Sequence, residues 1–415
     1  MADSPVAGPL GVAGTLRKWR GRVATVVEHS FSSLLPPVFN VLISMLVVRI
    51  ASPALWGELV DVIVIAQLGV HIIAWGNKEH LLRQFSTTDS GHGTAWLSSL
   101  VTRFTQVLPP VCAGVIGYGL WIQDWSAAVI APCLLWIVAQ SVVQSHEVVV
   151  LFHRVFKRQI AVELTGTGAI IATLIAVLPA ISAVELLWLF AAVTVAKAVA
   201  LHALTRRLLG DLSTIAADGG LLRATAAFFL LGLTGMLVSR VDLYTVAALL
   251  DAAELARYQV LLNMLLYLQM MANLILMPFV RDVYGMSVAD IHKLAGRFVA
   301  LGAVLSAGGV AVVGLVVHYG YQMPVDAPLL AIAYGYVLQM YLAVPMMYSL
   351  FKTNSESTVL KVSVAIIATN LAGNLALIKR FGLHGALFSS FLVSFGGALF
   401  YTWLSARLRA DEANR

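Results

Sequence analysis

Basic side chains lie inside apolar stretches of this sequence that are long enough to span a bilayer. Lys197 and Arg240 lie deepest, with Lys197 about nine residues, or about 13 Å of helix, from the nearest end of its stretch. A charge at the centre of a bilayer costs roughly 3 to over 10 kcal/mol, so it normally faces a partner or a wet cavity. Lys197, Arg240 and the more peripheral Arg49 are therefore candidate anion-binding residues, although Lys197 could also extend to the membrane surface.

Three carboxylates in the same apolar stretches are candidates for binding a coupling ion. They are Asp61, Asp242 and Glu147. Arg240 and Asp242 are two residues apart and cannot face each other on a straight helix, so each needs another partner. Arg49 and Asp61 could instead form a pair at the membrane surface, and Glu147 could be solvated near the end of its helix.

Polar residues at helical spacing form stripes on four of the apolar stretches. The stripes are Ser33, Asn40 and Ser44; Gln67, His71 and Lys78; Gln140, Gln144 and Glu147; and Ser363, Asn370 and Asn374. Residues three or four apart share one face of a helix. Four such stripes predict a water-filled cleft, and the alternative is hydrogen bonding between helices, worth only about 0.6 kcal/mol per contact.

The stretches that carry these residues recur along the whole chain. Of its 415 residues, 60% are hydrophobic and only 12% are charged, whereas a globular domain carries about 25% charged residues. This pattern predicts an all-α polytopic membrane protein with twelve transmembrane helices. They cover about residues 24–48, 57–77, 98–121, 126–149, 160–181, 184–206, 224–249, 256–279, 298–319, 326–351, 358–378 and 383–406.

Lys and Arg are concentrated in every second loop; the second loop and its edges, for example, carry Lys78, Arg83 and Arg103. The intervening loops, such as residues 123–125 and 318–328, contain neither. Because basic loops stay in the cytoplasm, the alternation predicts that both termini are cytoplasmic. The predicted organisation is an N-terminal segment, two six-helix bundles joined by a linker, and a tail: residues 1–23, 24–206, 207–223, 224–406 and 407–415.

Composition and motifs exclude several functional classes. The net charge of +6 lies mostly in the basic loops, so no nucleic-acid partner is expected. Cys112 and Cys133 lie in apolar segments and predict neither a disulfide nor a zinc site. There is no phosphate-binding glycine-lysine motif and no HExxH, so we expect no cofactor, no metal and no ATP-driven step. Coupling would then use an H+ or Na+ gradient, the membrane potential or consumption of the product.

Internal similarity and local signals add detail. At a shift of about 200 residues, Val48–Val60 lies over Ala248–Val260, which predicts two halves related by an axis along the membrane normal.

Ser182–Glu185 has the spacing of a capping box. Leu35–Pro37 and Leu108–Pro110 are expected to interrupt the first and third helices. Tryptophans near helix ends are expected at the membrane interface: Trp56, Trp121, Trp125 and Trp188.

Several loose motifs resemble the polysaccharide flippases, the Wzx group, of the MATE-like MOP exporter superfamily. Asn40–Leu59 has an asparagine-bearing first helix and a short loop. Ser239–Asp242, followed by Asp251–Tyr258, is similar to the family's seventh helix and its turn into the eighth, which Pro278 ends. Gly382–Ala386 is similar to the opening of the family's last helix. The resemblance covers nearly the whole chain.

The resemblance implies a MATE-like fold and a task, which is moving an undecaprenyl-diphosphate-linked oligosaccharide across the bacterial cytoplasmic membrane for surface polysaccharide synthesis. Alternating access would come from rocking of the two bundles. Lys197, Arg240 and Arg49 would bind the diphosphate. Side-chain amides would bind the sugars: Asn40, Gln140, Gln144, Asn370 and Asn374. Membrane lipids and a polysaccharide polymerase are the other expected partners.

Three alternatives remain open at this point. A cation-coupled drug or small-metabolite antiporter of the same architecture would favour a more acidic and aromatic pocket. A membrane-embedded glycan polymerase or acyltransferase would need a catalytic constellation near one face, which is not visible in the sequence. A scaffold without transport activity would not need charges inside its helices.

One departure from the family pattern is Arg257, where glycine is frequent.

Overall fold

In the computed structural model, the chain is helical wherever it has regular structure. The structure describes residues 12–413 except 88–90, 178–179, 211–218, 277–282, 284 and 353–355, and no strand occurs among them. Pro278 lies outside the described residues. The helices are α1 (Val12–Ile50), α2 (Pro53–Ala74), α3 (Asn77–Thr87), α4 (His92–Gln106), α5 (Leu108–Trp121), α6 (Ala127–His153), α7 (Phe156–Val177), α8 (Ala183–Leu209), α9 (Leu221–Leu249), α10 (Ala252–Leu276), α11 (Val288–Leu315, continued by a π-helical turn to Gly320), α12 (Ala327–Lys352) and α13 (Glu356–Ala413).

Ten helical stretches of the described residues are long and apolar enough to cross a membrane. One of them, Ser357–Arg407, has 51 residues, so its length of about 75 Å exceeds two crossings of a roughly 30 Å hydrocarbon core. Gly382 bends this stretch at φ 53° and ψ −131°, where glycine avoids the Cβ clash of positive φ. The chain is an all-α, multi-pass membrane protein. Twelve crossings and the orientation of the termini stay predictions.

Local sequence signals are confirmed at some helix ends and not at others. The Ser182 side chain accepts from the Glu185 amide at 3.3 Å, and Glu185 accepts from the Ser182 amide at 2.8 Å, so the capping box is present. The break at Leu108–Pro110 is found, because α4 ends at Gln106 and prolines fit the first turn of α5. The interruption predicted at Leu35–Pro37 is wrong, since α1 continues through it.

The largest departure from the predicted helix boundaries follows α2. Residues 77–87 form α3 within a predicted loop, and the next helix begins at His92 instead of residue 98. Leu81 and Phe85, four residues apart, bury one side of α3 against Trp96 and Val148. A short helix with two apolar residues on one face is stabilised by tertiary packing rather than by its own propensity.

The N-terminal half (residues 24–206) and the C-terminal half (residues 224–406) meet along α2. At one end, a Cβ on Gly57 would overlap the Ala252 carbonyl oxygen of α10. The Trp56 indole N–H donates to Gln259 at 3.0 Å, and Trp56 is only 1% exposed. Trp56 is therefore buried at the contact between the two halves, whereas the sequence predicted an aromatic residue at the membrane interface.

The opposite end of α2 also contacts the C-terminal half. The Trp75 indole N–H donates to the Leu222 carbonyl at 3.0 Å, and its ring stacks on Phe229 with centroids 4.0 Å apart. Trp75 adopts φ 44°, which ends α2 and directs the chain into α3. The two halves are thus in contact at both ends of α2.

Candidate functional site

A buried carboxylate is the centre of a polar network in the C-terminal half. Asp242 of α9 is 1% exposed. Its Oδ2 accepts from the Tyr258 hydroxyl at 2.7 Å and from the Ser390 hydroxyl at 2.8 Å, and its Oδ1 accepts from the Leu243 amide at 2.8 Å. A carboxylate removed from water needs such donors or a cation. The structure therefore supplies the partners that the sequence required for Asp242.

The predicted site residue Asn370 extends this network along α13, and Asn374 follows it one helical turn later. Asn370 Nδ2 donates to Ser390 at 3.2 Å, and Asn370 Oδ1 accepts from Ser389 at 3.0 Å. Gly373 permits this approach, because a Cβ there would overlap the Ser389 hydroxyl. Asn374 is 0% exposed, and neither atom of its amide has a hydrogen-bond partner among the described residues. An unsatisfied buried amide can coordinate an additional ligand.

Arg240 lies at the junction between the two halves. Its Nη1 donates to Asn263 Oδ1 of α10 at 2.7 Å, and it forms no ion pair with any carboxylate that the structure describes. Arg240 lies within electrostatic range of Tyr267 and Asp242. Tyr267 in turn interacts with the Asn40 side chain of α1. The structure therefore brings Asn40 and Arg240 to one polar cluster, through α10.

Lys197 has a different environment. Its Nζ lies 2.6 Å from Glu163 Oε2 of α7, and the two side chains are only 16% and 12% exposed. Gly166 leaves the space for the lysine, because a Cβ there would overlap the Lys197 side chain. The ion pair compensates the charge of Lys197 within the N-terminal half. Lys197 and Arg240 are thus parts of two separate arrangements.

One interpretation of the sequence was that Arg49 and Asp61 form an ion pair at the membrane surface, and the structure does not contain this pair. Arg49 is exposed at the end of α1, and no ion pair joins these two described residues. Asp61 lines a cavity of about 220 Å³ with Glu58 and Trp125. Its Oδ1 is buried and has no hydrogen-bond partner in the described part of the chain.

A cavity of about 230 Å³ lies between α2, α3, α4, α6 and α9, and we call it the α2–α9 pocket. Two of the predicted residues on α6, Gln144 and Glu147, line it, whereas the partly buried Gln140 does not. The polar and charged lining residues are His71, Asn77, Lys78, Arg103, Gln144, Ser145 and Glu147. Phe228, Phe229 and Gly232 of α9 form the wall contributed by the C-terminal half.

Arg103 lies in this pocket although its sequence position predicted a different environment. We interpreted it as an orienting charge at the edge of a loop, but it is 2% exposed inside α4. Its guanidinium donates to the Ser99 carbonyl at 3.2 Å, the Ile73 carbonyl at 3.4 Å and the Ser145 hydroxyl at 2.9 Å. Arg103 lies five residues inside the predicted third helix, and this position in the sequence already indicated that its side chain could be buried.

No protein-family model and no curated protein matches this chain. Solved structures do. An inward-facing multidrug resistance MATE family transporter of the MOP superfamily superposes with a TM-score of 0.64 at 11% identity, covering 93% of this chain and 98% of that one. The lipid II flippase MurJ, in an inward closed conformation, gives 0.57 at 11% identity, with 92% and 87% covered.

A third structure, a MOP superfamily transporter from Pyrococcus furiosus, gives a TM-score of 0.53 at 10% identity and covers 95% of this chain and 96% of that one. At such identities a structural likeness reports the arrangement of the helices and not the cargo. Together with the helices described above, these superpositions show that the chain has the all-α MATE-like fold of the MOP superfamily transporters.

Proposed function

We propose that this chain is a flippase rather than an enzyme, and that it moves undecaprenyl-diphosphate-linked oligosaccharide across the bacterial cytoplasmic membrane by alternating access. The observation that carries the proposal is Arg240, a cation without a described carboxylate partner at the junction of the halves. A guanidinium provides several N–H donors for phosphate oxygens. Asn263, Tyr267 and Asn40 add the amide and hydroxyl groups that bind sugars.

The fold supports this task. A diphosphate and a hydrated glycan cannot cross hydrocarbon, and a polar junction between two halves would shield them while the lipid tail stays in the bilayer. One solved structure with the same fold is described as a lipid II flippase. A polysaccharide polymerase would be a downstream partner, and surface polysaccharide synthesis the process served.

We further propose that Asp242 couples transport to an H+ or Na+ gradient. Its carboxylate accepts hydrogen bonds from two hydroxyls and a backbone amide, and it forms no ion pair with a basic residue that the structure describes. Such oxygen-rich sites suit a small hard cation or a proton. The unsatisfied Asn374 amide, one helical turn from Asn370, offers a further oxygen ligand. Asp61 and Glu147 are the other candidate carboxylates, and neither has a comparable set of hydroxyl partners among the described residues.

A cation-coupled drug or small-metabolite antiporter is the second candidate. Asp242 favours it, because a buried carboxylate also suits an organic cation, and several structures with this fold are described as MATE transporters. Arg240 opposes it, since a guanidinium at the junction repels cationic cargo. The two candidates therefore predict opposite effects of removing the Arg240 charge.

The test is transport by purified protein in vesicles. With lipid-linked oligosaccharide as cargo, Arg240→Ala should reduce translocation by about 100-fold, because a charge-assisted bond to phosphate contributes about 3 kcal/mol. Lys293→Ala, which removes an exposed lysine of α11, is the matched control and should leave the rate unchanged.

Folding of both variants is compared by thermal unfolding in detergent. Undiminished translocation by a folded Arg240→Ala protein would contradict the diphosphate-binding role. Faster uptake of a fluorescent organic cation by that variant, with no translocation of lipid-linked oligosaccharide by either protein, would instead support the antiporter.

A further inference from the structure

The α2–α9 pocket contains a buried guanidinium, that of Arg103, whose hydrogen bonds all go to uncharged oxygens. Arg103 is 2% exposed, lines the pocket, and forms no ion pair with a carboxylate in the part of the chain that is described. Its three hydrogen bonds go to neutral oxygens, which leaves one N–H on each terminal nitrogen without a bond in this set. A buried charge is costly unless it is paired, so this guanidinium is suited to an anionic ligand.

Two further features of the same pocket favour an anion. Lys78 lines it and is exposed, so its ammonium group can approach an occupant. The pocket is also bordered by Gly76 and Asn77, where the eleven-residue helix α3 begins. The first amide groups of a helix carry a partial positive charge and have no partner within the helix. Lysine, arginine and a helix N-terminus thus border one cavity.

The size of the pocket limits what it can hold. Its volume of about 230 Å³ is smaller than the roughly 300–1,000 Å³ of sites for drug-sized molecules. A phosphate or diphosphate group is a small multivalent anion that matches both the space and the donors. Among the described residues of the lining, Glu147 is the one acidic side chain, and it lies within electrostatic range of Lys78. Its negative charge opposes any anion in the pocket, in proportion to the charge of that anion.

The pocket lies between the two halves. Phe228, Phe229 and Gly232 come from α9, whereas the charged residues belong to the N-terminal half. Separation at the Trp75–Phe229 stack would remove the α9 wall and open the pocket. An occupant would therefore be released or enclosed by the same movement that alternating access requires.

We propose that the α2–α9 pocket is an anion site for a phosphate or diphosphate group, held by Arg103, Lys78 and the N-terminus of α3. The group could belong to a lipid headgroup or to a soluble phosphate compound. This site is separate from the Arg240 cluster. The site is tested by binding alone, so the result does not depend on whether the chain transports lipid-linked oligosaccharide.

The experiment is calorimetric titration of the purified chain in nanodiscs, with inorganic pyrophosphate and with farnesyl diphosphate as probes. Lys78→Gln should weaken binding about tenfold, and Arg103→Gln about 100-fold or more, as expected for lost charge-assisted hydrogen bonds. Glu147→Gln should tighten binding, because it removes the opposing charge. Arg223→Gln, an exposed cation in the first turn of α9, is the matched control and should bind as the wild type does.

Equal affinity for the two probes would support a soluble phosphate ligand, and preference for farnesyl diphosphate would support a lipid headgroup. Lys78 is exposed and makes none of the hydrogen bonds that hold Arg103, so its variant is informative even if Arg103→Gln does not fold. The proposal is overturned if neither probe binds the wild type, or if Lys78→Gln and Glu147→Gln both bind with wild-type affinity.

Discussion

The two halves of this protein each bury a charged side chain, and the charges are opposite. In the N-terminal half Arg103 is 2% exposed and borders a cavity, held by carbonyl and hydroxyl oxygens. In the C-terminal half Asp242 is 1% exposed and accepts hydrogen bonds from the Tyr258 and Ser390 hydroxyls, the second of which also accepts from Asn370. Neither has an ion-pair partner in the described part of the chain.

Under our proposals, the two buried charges bind different ligands. A buried charge without a counter-ion is costly, so it is expected where a ligand of opposite sign completes it. Arg103 has open space and a neighbouring lysine, which suits a multivalent anion. Asp242 has a compact shell of oxygen-bearing side chains, which suits a proton or a small cation. Lys197 belongs to neither class, because Glu163 already compensates it.

The largest expected effect tests the C-terminal charge. Asp242→Asn keeps the shape of the side chain and removes the charge, so the protein should fold and lose its response to an ion gradient. We expect gradient-stimulated transport in vesicles to fall about 100-fold, equivalent to about 2.7 kcal/mol. Transport is measured with and without an imposed H+ or Na+ gradient.

Two variants make this result a comparison between the halves. Glu254→Gln alters a carboxylate that pairs with Arg257 at the start of α10, and it should retain the gradient response. Arg103→Gln should change the affinity for phosphate probes without changing the gradient response. If Asp242→Asn responds to the gradient as the wild type does, Asp242 is not the coupling residue.

A smaller effect tests whether Lys197 is structural. Lys197→Met leaves Glu163 without its partner in a mostly buried site, and we expect the protein to lose about 2 kcal/mol of stability. The double variant Lys197→Met with Glu163→Leu should recover most of this loss, because no unpaired charge remains. Unfolding in detergent is followed for both single variants and the double variant.

Transport by the same double variant decides between two roles for Lys197. Activity close to that of the wild type would show that the ion pair only holds α7 against α8. Loss of activity in a stable double variant would restore Lys197 as a cargo-binding residue, and the division between the Lys197 and Arg240 arrangements would then be incorrect.

The smallest effect concerns an exposed carboxylate in the C-terminal half, as a contrast to Asp242. Asp326 precedes α12, and hydrogen bonds from His384 and the Leu329 amide lower the pKa of its carboxyl. A lowered pKa stabilises the folded state above the unfolded value of about 3.9, and this contribution is lost as the pH falls through the lowered pKa.

His384→Asn should therefore reduce the acid sensitivity of unfolding in detergent, by less than about 1 kcal/mol because both side chains are solvent-exposed. The melting temperature of the wild type and the variant is measured from neutral to acidic pH. Asp326→Asn is the control and should show the same reduced sensitivity. Identical acid dependence in all three proteins would show that this pair has no role in stability.

Sequence reasoning succeeded where one helix determines the answer. Hydropathy predicted an all-α membrane protein, and the spacing of Ser182 and Glu185 predicted a cap that the structure contains. Helical spacing also predicted that Arg240 and Asp242 need separate partners. In the structure Arg240 donates to Asn263, and Asp242 accepts from Tyr258 and Ser390. The boundaries of the two bundles, the twelve crossings and the roles of the site residues stay predictions.

Sequence reasoning failed where contacts between helices decide. Arg103 was interpreted as a loop charge, and Trp56 was placed at the membrane interface. Arg103 is buried by α2 and α6, and Trp56 by α10. Neither burial follows from hydropathy, because a helix end near a predicted surface can still be covered by a neighbouring helix.

The sequence by itself therefore determined the class of the protein, because apolar length and charge alternation are properties of single segments. Only the tertiary structure decided which charges are compensated. Lys197 and Arg103 are both basic residues of predicted helices, yet Glu163 pairs with the first and no described carboxylate pairs with the second. The reason is physical: the energy of a charge depends on the distance to its partners, and those distances are set by helices far apart in the chain.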